Sequence, residues 1–89
     1  MAWTIEIDAS ALKDLKKVDK TNARRILDFL GDRVANLDDP RSIGQALKGA
    51  KLGNFWKYRV GDYRIICDIK DKILLILVLR IGNRREIYR

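Results

Sequence analysis

The spacing of apolar residues changes once along this chain, and that change limits the folds open to it. Between residues 19 and 40 the apolar side chains recur at the steps of three and four that mark one helix face: Ala23, Ile26, Leu27, Leu30, Val34 and Leu37. From residue 55 onward the period becomes two, which predicts strands with one buried face. Helices followed by hairpin strands predict an α+β fold, with a helical pair packed on one face of a sheet.

A strand and two helices are predicted in the N-terminal part. The strand is indicated by three apolar residues that alternate with polar ones: Trp3, Ile5 and Ile7. Helical spacing continues over residues 9–18 and predicts a short first helix. The second helix is capped by Asp19 or Thr21 and ends near Pro40, because proline cannot continue a helix. The short connection predicts that the two helices are antiparallel.

Residues 41–54 contain three glycines and are predicted to form a loop, with a turn of helix around residues 43–47. Three strands follow, over residues 55–60, 63–69 and 73–80. Short hairpins make these strands antiparallel. The apolar run over residues 73–79 predicts a central strand that is buried on both faces.

Turn residues separate these strands. Gly61 and Asp62 form a Gly-X pair that suits a two-residue type II′ hairpin turn, and the next turn falls within residues 70–72. Gly82 and Asn83 are predicted to end the last strand by a turn, after which residues 87–88 add a short extended piece.

Composition excludes several classes of protein. The 89 residues suit one domain, residues 1–89, and the longest apolar run is far shorter than the ~20 residues of a membrane span. The N-terminus lacks the features of a signal peptide, and a single cysteine, Cys67, cannot form an internal disulfide, so a cytoplasmic protein is expected. The absence of histidine excludes acid–base chemistry by histidine. With no histidine and a single cysteine, neither a metal nor another cofactor is expected.

All of the excess positive charge lies in the second half of the chain. Residues 1–40 carry 7 Lys or Arg against 8 Asp or Glu, a net charge of −1, whereas residues 41–89 carry 12 against 4, a net charge of +8. Such asymmetry indicates either a surface that binds a polyanion such as nucleic acid or a basic surface that only aids solubility.

Strand alternation brings part of this charge together. Lys57 and Arg59 lie on one face of the first hairpin strand. With a two-residue turn at Gly61 and Asp62, Arg59 pairs with Arg64, and directly paired residues share a face. Like charges in that position are destabilising, so a bound anion is the natural reason to retain them. A three-residue turn would place Arg64 on the other face.

More candidate groups follow the last strand: Arg84, Arg85, Tyr88 and Arg89. Arginine can hold a phosphate bidentately and stabilise charge that develops on it, and tyrosine can stack on a base or transfer a proton. If this tail folds back beside the hairpin, the set could cleave RNA by attack of the 2′-hydroxyl on the neighbouring phosphate, without histidine. On spacing alone, phosphate binding without catalysis is favoured over RNA cleavage.

Several other residues are interpreted as structural. Asp38 and Asp39 mark the end of a helix, and Cys67, which alternates with apolar neighbours, is a small buried residue. Trp3 is predicted to be a core or sheet-edge aromatic residue. Trp56 and Tyr58 lie on the strand face opposite Lys57 and are predicted to pack on the helices.

Two blocks of sequence carry a family resemblance: Trp-Lys-Tyr-Arg-Val-Gly-Asp-Tyr-Arg over residues 56–64 and Gly-Asn-Arg-Arg-Glu-Ile-Tyr over residues 82–88. Together with Leu47-Lys48-Gly49, Ala11-Leu12-Lys13 and the helix over residues 23–37, they make the chain resemble the RelE/ParE toxin superfamily along nearly its whole length. The resemblance implies the fold predicted above, a helical hairpin against an antiparallel sheet of three to four strands. RelE-like members are mRNA interferases that cleave mRNA in the ribosomal A site through its 2′-hydroxyl.

The resemblance also implies roles for individual residues. Lys57 and Arg59 would act on the nucleophile side and on phosphate contacts, and Arg64 would stabilise the charged transition state. Arg84 would assist the leaving group, and Tyr88 would orient or deprotonate the attacking hydroxyl. Further RNA contacts are expected from five basic residues: Lys48, Lys51, Arg80, Arg85 and Arg89.

The partners that the resemblance implies are a RelB-like antitoxin and the ribosome with its 16S rRNA and mRNA, while operator DNA is reached only through the antitoxin. The chain departs from the family pattern at Asn83, where many relatives have histidine, and at Arg59, where some have lysine. Because arginine is a poor proton acceptor, general-base work then falls to Lys57 or Tyr88. Two alternatives remain: a ParE-like inhibitor of DNA gyrase without nuclease activity, and a module that binds only antitoxin and operator DNA.

Overall fold

The computed structural model of this protein describes residues 2–47 and 55–83. The helices and strands in this part are, in chain order, β1 (Thr4–Ile7), α1 (Ala9–Lys16), α2 (Lys20–Asp28), β2 (Gln45–Ala46), β3 (Phe55–Val60), β4 (Tyr63–Lys70) and β5 (Leu75–Asn83). The strands form one five-stranded sheet in the order β1-β5-β4-β3-β2. The predicted α+β class is therefore confirmed, and the three predicted hairpin strands are its antiparallel centre.

The first strand of the chain joins the sheet at one edge. β1 pairs with β5 in parallel, from Thr4 opposite Leu75 to Ile7 opposite Val78. This contact places the start of α1 directly beside the last strand. As a result, the N-terminal helix packs close to the strand that leads into the basic C-terminal tail.

Both helices begin at the aspartates that precede them. The carboxylate of Asp8 accepts the backbone N–H of Ser10 at 3.1 Å, and that of Asp19 accepts the N–H of Asn22 at 3.1 Å. These bonds satisfy backbone donors that have no partner within the helix. The first predicted helix is confirmed, although it ends at Lys16 rather than at residue 18.

The second predicted helix changes its geometry before it ends. After α2 the chain continues as a wide π-helical turn, Phe29–Arg33, and a tight 3₁₀ turn, Val34–Asn36. The prediction that Leu27 belongs to the buried stripe is wrong, since its side chain is 41% exposed while Ile26 is fully buried. The two residues point about 100° apart around the helix, and the sheet covers only the side of Ile26.

The core lies between the helical pair and one face of the sheet. Its buried members come from both helices and from every long strand: Trp3, Ala11, Ile26, Leu30, Val34, Tyr58, Val60, Ile65, Cys67, Ile69, Ile76, Val78 and Ile81. Trp56 is half-buried and packs against this cluster. The predicted structural roles of Trp3, Trp56, Tyr58 and Cys67 are confirmed.

The segment before the described hairpin differs from its prediction. The helical turn covers Pro40–Ile43 rather than residues 43–47, and Gln45–Ala46 is a strand that pairs with β3. Proline favours the first turn of a helix, which explains the earlier start. A two-residue strand has no alternation to detect, because its formation depends on the free edge of β3.

The last strand is also displaced from its predicted bounds. Ile73 lies in a 3₁₀ turn with its side chain 64% exposed, and Leu74 adopts a left-handed conformation with φ of 49°. The buried strand starts only at Leu75. At the other end, Gly82 does not form a turn, because β4 extends to Tyr63 and keeps both Gly82 and Asn83 paired.

Candidate functional site

The turn between β3 and β4 decides where the basic residues of this hairpin point. Val60 pairs with Tyr63 and Arg59 with Arg64, so the predicted two-residue turn is confirmed. Gly61 has φ of +58°, a conformation that glycine adopts at little cost and that the first central position of a type II′ turn requires. This turn places Arg64 on the same face of the sheet as Arg59.

Three cations therefore share the sheet face that the helices leave uncovered. Lys57 pairs with Ile66 and lies two residues from Arg59, so Lys57, Arg59 and Arg64 all project to this side. We refer to these three residues as the cationic face. Arg59 is exposed, whereas Lys57 and Arg64 are half-buried. The next residue in the row of Arg59 and Arg64 is Gly82 of β5, which adds no side chain.

A shallow hollow of about 130 Å³ opens beside the cationic face. It is lined by Ile43, Gln45, Lys57, Tyr58, Arg59 and Arg64. None of these lining residues is acidic. A phosphate group that enters the hollow therefore meets three cations without a carboxylate among the lining side chains, which favours anion binding.

Gln45 is a member of this site that the sequence did not reveal. It is exposed on β2 and pairs directly with Lys57. Its side-chain amide offers both a donor and an acceptor next to the cations. The signal that could have identified it is the pairing of β2 with β3, which no local pattern in residues 45–46 records.

A second set of contacts holds β2 in place. Arg41 donates two hydrogen bonds to the carboxylate of Asp71, at 3.0 and 2.6 Å, and its guanidinium lies 5.8 Å from the centre of the Trp56 ring. Gly44 permits a close approach to the core, because a Cβ atom there would lie 3.0 Å from the Tyr58 ring. These contacts fix the segment that presents Gln45.

Arg80 was predicted to contact RNA, and the structure directs its guanidinium to helix α1. The Nε and Nη2 atoms of Arg80 lie 2.8 and 3.2 Å from the carboxylate of Asp14, which also accepts the backbone N–H of Ile81 at 2.9 Å. Burial opposes the ionisation of Asp14, but the hydrogen bonds from Arg80 and Ile81 outweigh it and lower the pKa of this carboxyl. RNA contact by Arg80 stays a prediction.

Two titratable side chains near the hairpin belong to the core rather than to the site. Burial raises the pKa of the Tyr58 phenol, whose hydroxyl donates a hydrogen bond to the backbone oxygen of Pro40. Burial also raises the pKa of the Cys67 thiol to about 12, with a smaller contribution from the nearby Asp68. Neither group is suited to accept a proton at neutral pH.

Other predicted site residues lie outside the described part of the chain: Lys48, Lys51, Arg84, Arg85, Tyr88 and Arg89. Their roles stay predictions. Asn83, at the end of β5, pairs with Tyr63 and belongs to the row of Val60, which faces away from Arg64.

Two kinds of site are absent from residues 2–47 and 55–83. No helix there is long and apolar enough to span a membrane. Within the same ranges, no group of three or more acidic, cysteine or histidine side chains is placed to bind a metal ion.

Comparison with known proteins points to one family. The model of the ParE toxins of type II toxin–antitoxin systems matches residues 5–88. Toxin RelG of Mycobacterium tuberculosis is 27% identical over 89 residues, which cover 100% of this chain and 99% of RelG. The mRNA interferase toxin RelE of Escherichia coli is 28% identical over 90 residues, covering 99% of this chain and 92% of RelE.

Solved structures share the fold. The toxin–antitoxin complex RelBE2 of M. tuberculosis contains a chain that superposes with a TM-score of 0.84 at 22% identity, covering 97% of this chain and 95% of that one. At this identity the likeness concerns the fold, and it matches the helical pair and mixed sheet described above.

Proposed function

Because the chain belongs to the ParE toxin family of type II toxin–antitoxin systems, we propose that it is a toxin that inhibits translation as a ribosome-dependent endoribonuclease. The substrate is mRNA in the ribosomal A site, and cleavage proceeds by attack of a 2′-hydroxyl on the adjacent phosphate. The names of its relatives support this choice within the family, since the E. coli protein is an mRNA interferase.

The observation that carries the proposal is the convergence of Lys57, Arg59 and Arg64 on one open face. Arg59 and Arg64 are directly opposed like charges, an arrangement that is destabilising without an anion. The phosphate that is attacked by a 2′-hydroxyl gains negative charge in the transition state. Cations fixed beside it stabilise that charge more than the ground state, which is the requirement for catalysis.

The proposed reaction needs one proton to leave the 2′-hydroxyl and one to reach the leaving oxygen. The 2′-oxygen bonds to phosphorus, the bond from phosphorus to the 5′-oxygen breaks, and the products are a 2′,3′-cyclic phosphate and a 5′-hydroxyl. We assign proton acceptance to Lys57 or Tyr88 and assistance of the leaving oxygen to Arg84. Arg59, whose guanidinium is a poor proton acceptor, serves phosphate binding.

Partners follow from the same proposal. The RelB-like antitoxin, the ribosome and a cytoplasmic location are the expected setting of such a toxin. The related M. tuberculosis toxin was solved in complex with its antitoxin, which supports a protein partner for this chain. Acidic antitoxin side chains would complement the net charge of +8 on residues 41–89.

A primer-extension assay on purified ribosomes programmed with a defined mRNA tests the proposal. The wild-type protein should cut within the A-site codon, and Arg64→Ala should lower the cleavage rate by about 10²- to 10³-fold, the usual loss when one transition-state contact is removed. Arg24→Ala is the matched control, because Arg24 is an exposed arginine whose side chain is 82% accessible on α2, where it contacts Asp28.

Cleavage that is lost in Arg64→Ala and kept in Arg24→Ala supports the ribonuclease. A folded wild-type protein that leaves the mRNA intact contradicts it. Equal cleavage by wild type and Arg64→Ala would remove Arg64 from the site.

The second candidate function is inhibition of DNA gyrase, because the family model that matches this chain is that of the ParE toxins. This function needs no RNA-cleaving residues. A gyrase supercoiling assay separates the two: loss of supercoiling at protein concentrations that leave programmed mRNA intact favours the gyrase inhibitor.

A further inference from the structure

The outer edge of β5 is only half covered by another strand. β1 pairs with β5 from Leu75 to Val78, and the backbone N–H of Asp8 still reaches the oxygen of Val78 at 2.9 Å. Beyond this point the chain turns into α1 and leaves the edge. The remaining part of β5, residues 79–83, is the part that lies beside the cationic face.

At this edge, the Asp14 side chain of α1 accepts a backbone N–H that a neighbouring strand would otherwise accept. Its carboxylate accepts the backbone N–H of Ile81 at 2.9 Å and holds Arg80 through the Nε atom at 2.8 Å. The Asp14 side chain is only 13% exposed, although it carries a charge. A charged group is retained at such burial when its hydrogen bonds are satisfied.

The strand needs this support because its pairing is irregular just before Arg80. Ile66 pairs with Arg80, but the next residue, Cys67, pairs with Val78, so Leu79 is an extra residue that forms a bulge. A bulge bends a strand and interrupts its regular ladder. The contact to Ile81 lies two residues after the bulge, where it fixes the new direction of the strand.

The position that depends on this direction is Gly82. It pairs with Arg64 and is the nearest β5 neighbour of the cationic face. Within the sequence, Gly82 and Asn83 lead directly to Arg84, the proposed leaving-group residue. A shift at Ile81 therefore moves the adjacent Gly82 relative to Arg64.

We propose that Asp14 is a positioning residue for RNA cleavage, which acts through its hydrogen bond to the backbone of Ile81. It touches no substrate; it sets the end of β5 relative to Arg64. This inference rests on the proposed ribonuclease function and adds to it a residue from the N-terminal helix, 67 positions away from Ile81 in the chain.

Three variants test the inference in the ribosome assay: Asp14→Ala, Asp14→Asn and Asp28→Ala. Asp14→Ala removes the acceptor of the Ile81 N–H, and we expect kcat to fall about 10- to 100-fold, the range for displacement of catalytic groups, with an unchanged KM for programmed ribosomes. Asp14→Asn keeps an oxygen that can accept this N–H, so its kcat should be clearly closer to wild type. Asp28→Ala, which removes an exposed α2 carboxylate, should cleave as wild type does.

Amide hydrogen exchange of the isolated protein supplies a readout besides activity. The Ile81 amide should exchange faster in Asp14→Ala than in wild type, while the Cys67 amide in the buried part of β4 stays protected in both. Retained protection of Cys67 also shows that the variant is folded.

The outcomes separate the two proposals. Active wild type with an unchanged kcat in folded Asp14→Ala overturns the positioning role alone, as does equal loss in Asp14→Asn and Asp14→Ala. Unchanged exchange at Ile81 overturns it without reference to activity. Wild type that cuts no mRNA overturns the ribonuclease and, with it, the role of Asp14 in the reaction.

Discussion

The two faces of β4 carry opposite chemistry on the same backbone. On one face Ile65, Cys67 and Ile69 are buried against the helices, while on the other Arg64 stands opposite Arg59 in an open row. Residues 64 and 65 are neighbours in sequence, yet one belongs to the core and the other to the proposed site. Alternation along the strand is the cause, because successive side chains point to opposite faces.

Stability and the proposed function are thus divided between the two faces. The core face gains from burial of apolar surface, which is the main favourable contribution to folding. On the cationic face, the directly opposed charges of Arg59 and Arg64 repel each other, which disfavours folding. Substitutions that exchange the properties of one face at a time can test this division.

The largest effect is expected from the core face. Ile65→Ala should lower the free energy of unfolding by about 2–5 kcal/mol, because it removes buried methyl groups and leaves a cavity. Urea unfolding followed by circular dichroism measures this change. Arg64→Ala is the adjacent control on the other face and should lose far less stability; equal losses would contradict the division between the faces.

A smaller effect on stability is expected where α1 contacts the end of β5. Asp14→Asn should lower the free energy of unfolding by about 1–2 kcal/mol at neutral pH, since it removes a charge that accepts hydrogen bonds from Arg80 and Ile81. The positive charges of Arg80 and the nearby Lys17 also lower the pKa of this carboxyl.

This difference should depend on pH in one direction. The carboxyl of Asp14 has a pKa below its usual value in the folded protein, so its stabilisation is present above the unfolded pKa of about 3.9 and is lost as the pH falls through the folded pKa. Wild type and Asp14→Asn should therefore converge in stability in acid. A difference in stability between wild type and Asp14→Asn that widens as the pH falls would contradict this pH dependence.

The Tyr58 hydroxyl links the core face to the segment before β2. It should contribute a comparable or slightly smaller amount to the free energy of unfolding. Tyr58→Phe keeps the ring and its edge contact with Phe29 but leaves the buried oxygen of Pro40 without this donor. We expect a loss of about 1 kcal/mol in thermal or urea unfolding. Tyr63→Phe, on a half-buried hairpin tyrosine, is the matched control and should change stability less.

The smallest effect, and the one of opposite sign, is expected on the cationic face. Arg59→Gln should raise the free energy of unfolding by about 0.2–1 kcal/mol, because it removes one of two directly opposed like charges. High salt should shrink this gain, since screening already weakens the repulsion in wild type. The same variant should cleave RNA more slowly. A loss of stability with unchanged cleavage would contradict the division of stability and proposed function between the two faces.

Much of the site could be predicted from local pattern because it depends on local geometry. The alternation of residues 55–60 placed Lys57 and Arg59 opposite Trp56 and Tyr58, and Gly61 defined a turn that set Arg64 on their face. These features need only the period of a strand and the conformation of one glycine.

Other parts could not be predicted because they depend on contacts between distant segments. Gln45 reaches the hollow only because β2 adds to the free edge of β3. Arg80 was predicted to contact RNA, but its orientation depends on Asp14, 66 residues earlier. Leu27 follows the helical spacing yet lies outside the area that the sheet covers.

By itself, then, the sequence determined the α+β class, the start of the second helix at Asp19 or Thr21, and the separation of cationic from apolar residues on the hairpin, since each follows from neighbours in the chain. Only the tertiary structure decided the parallel pairing of β1 with β5, the addition of β2, and the contact of Asp14 with Ile81. Those contacts join segments whose sequences contain no shared periodic signal, and their free energy exists only when the whole sheet and helices are assembled.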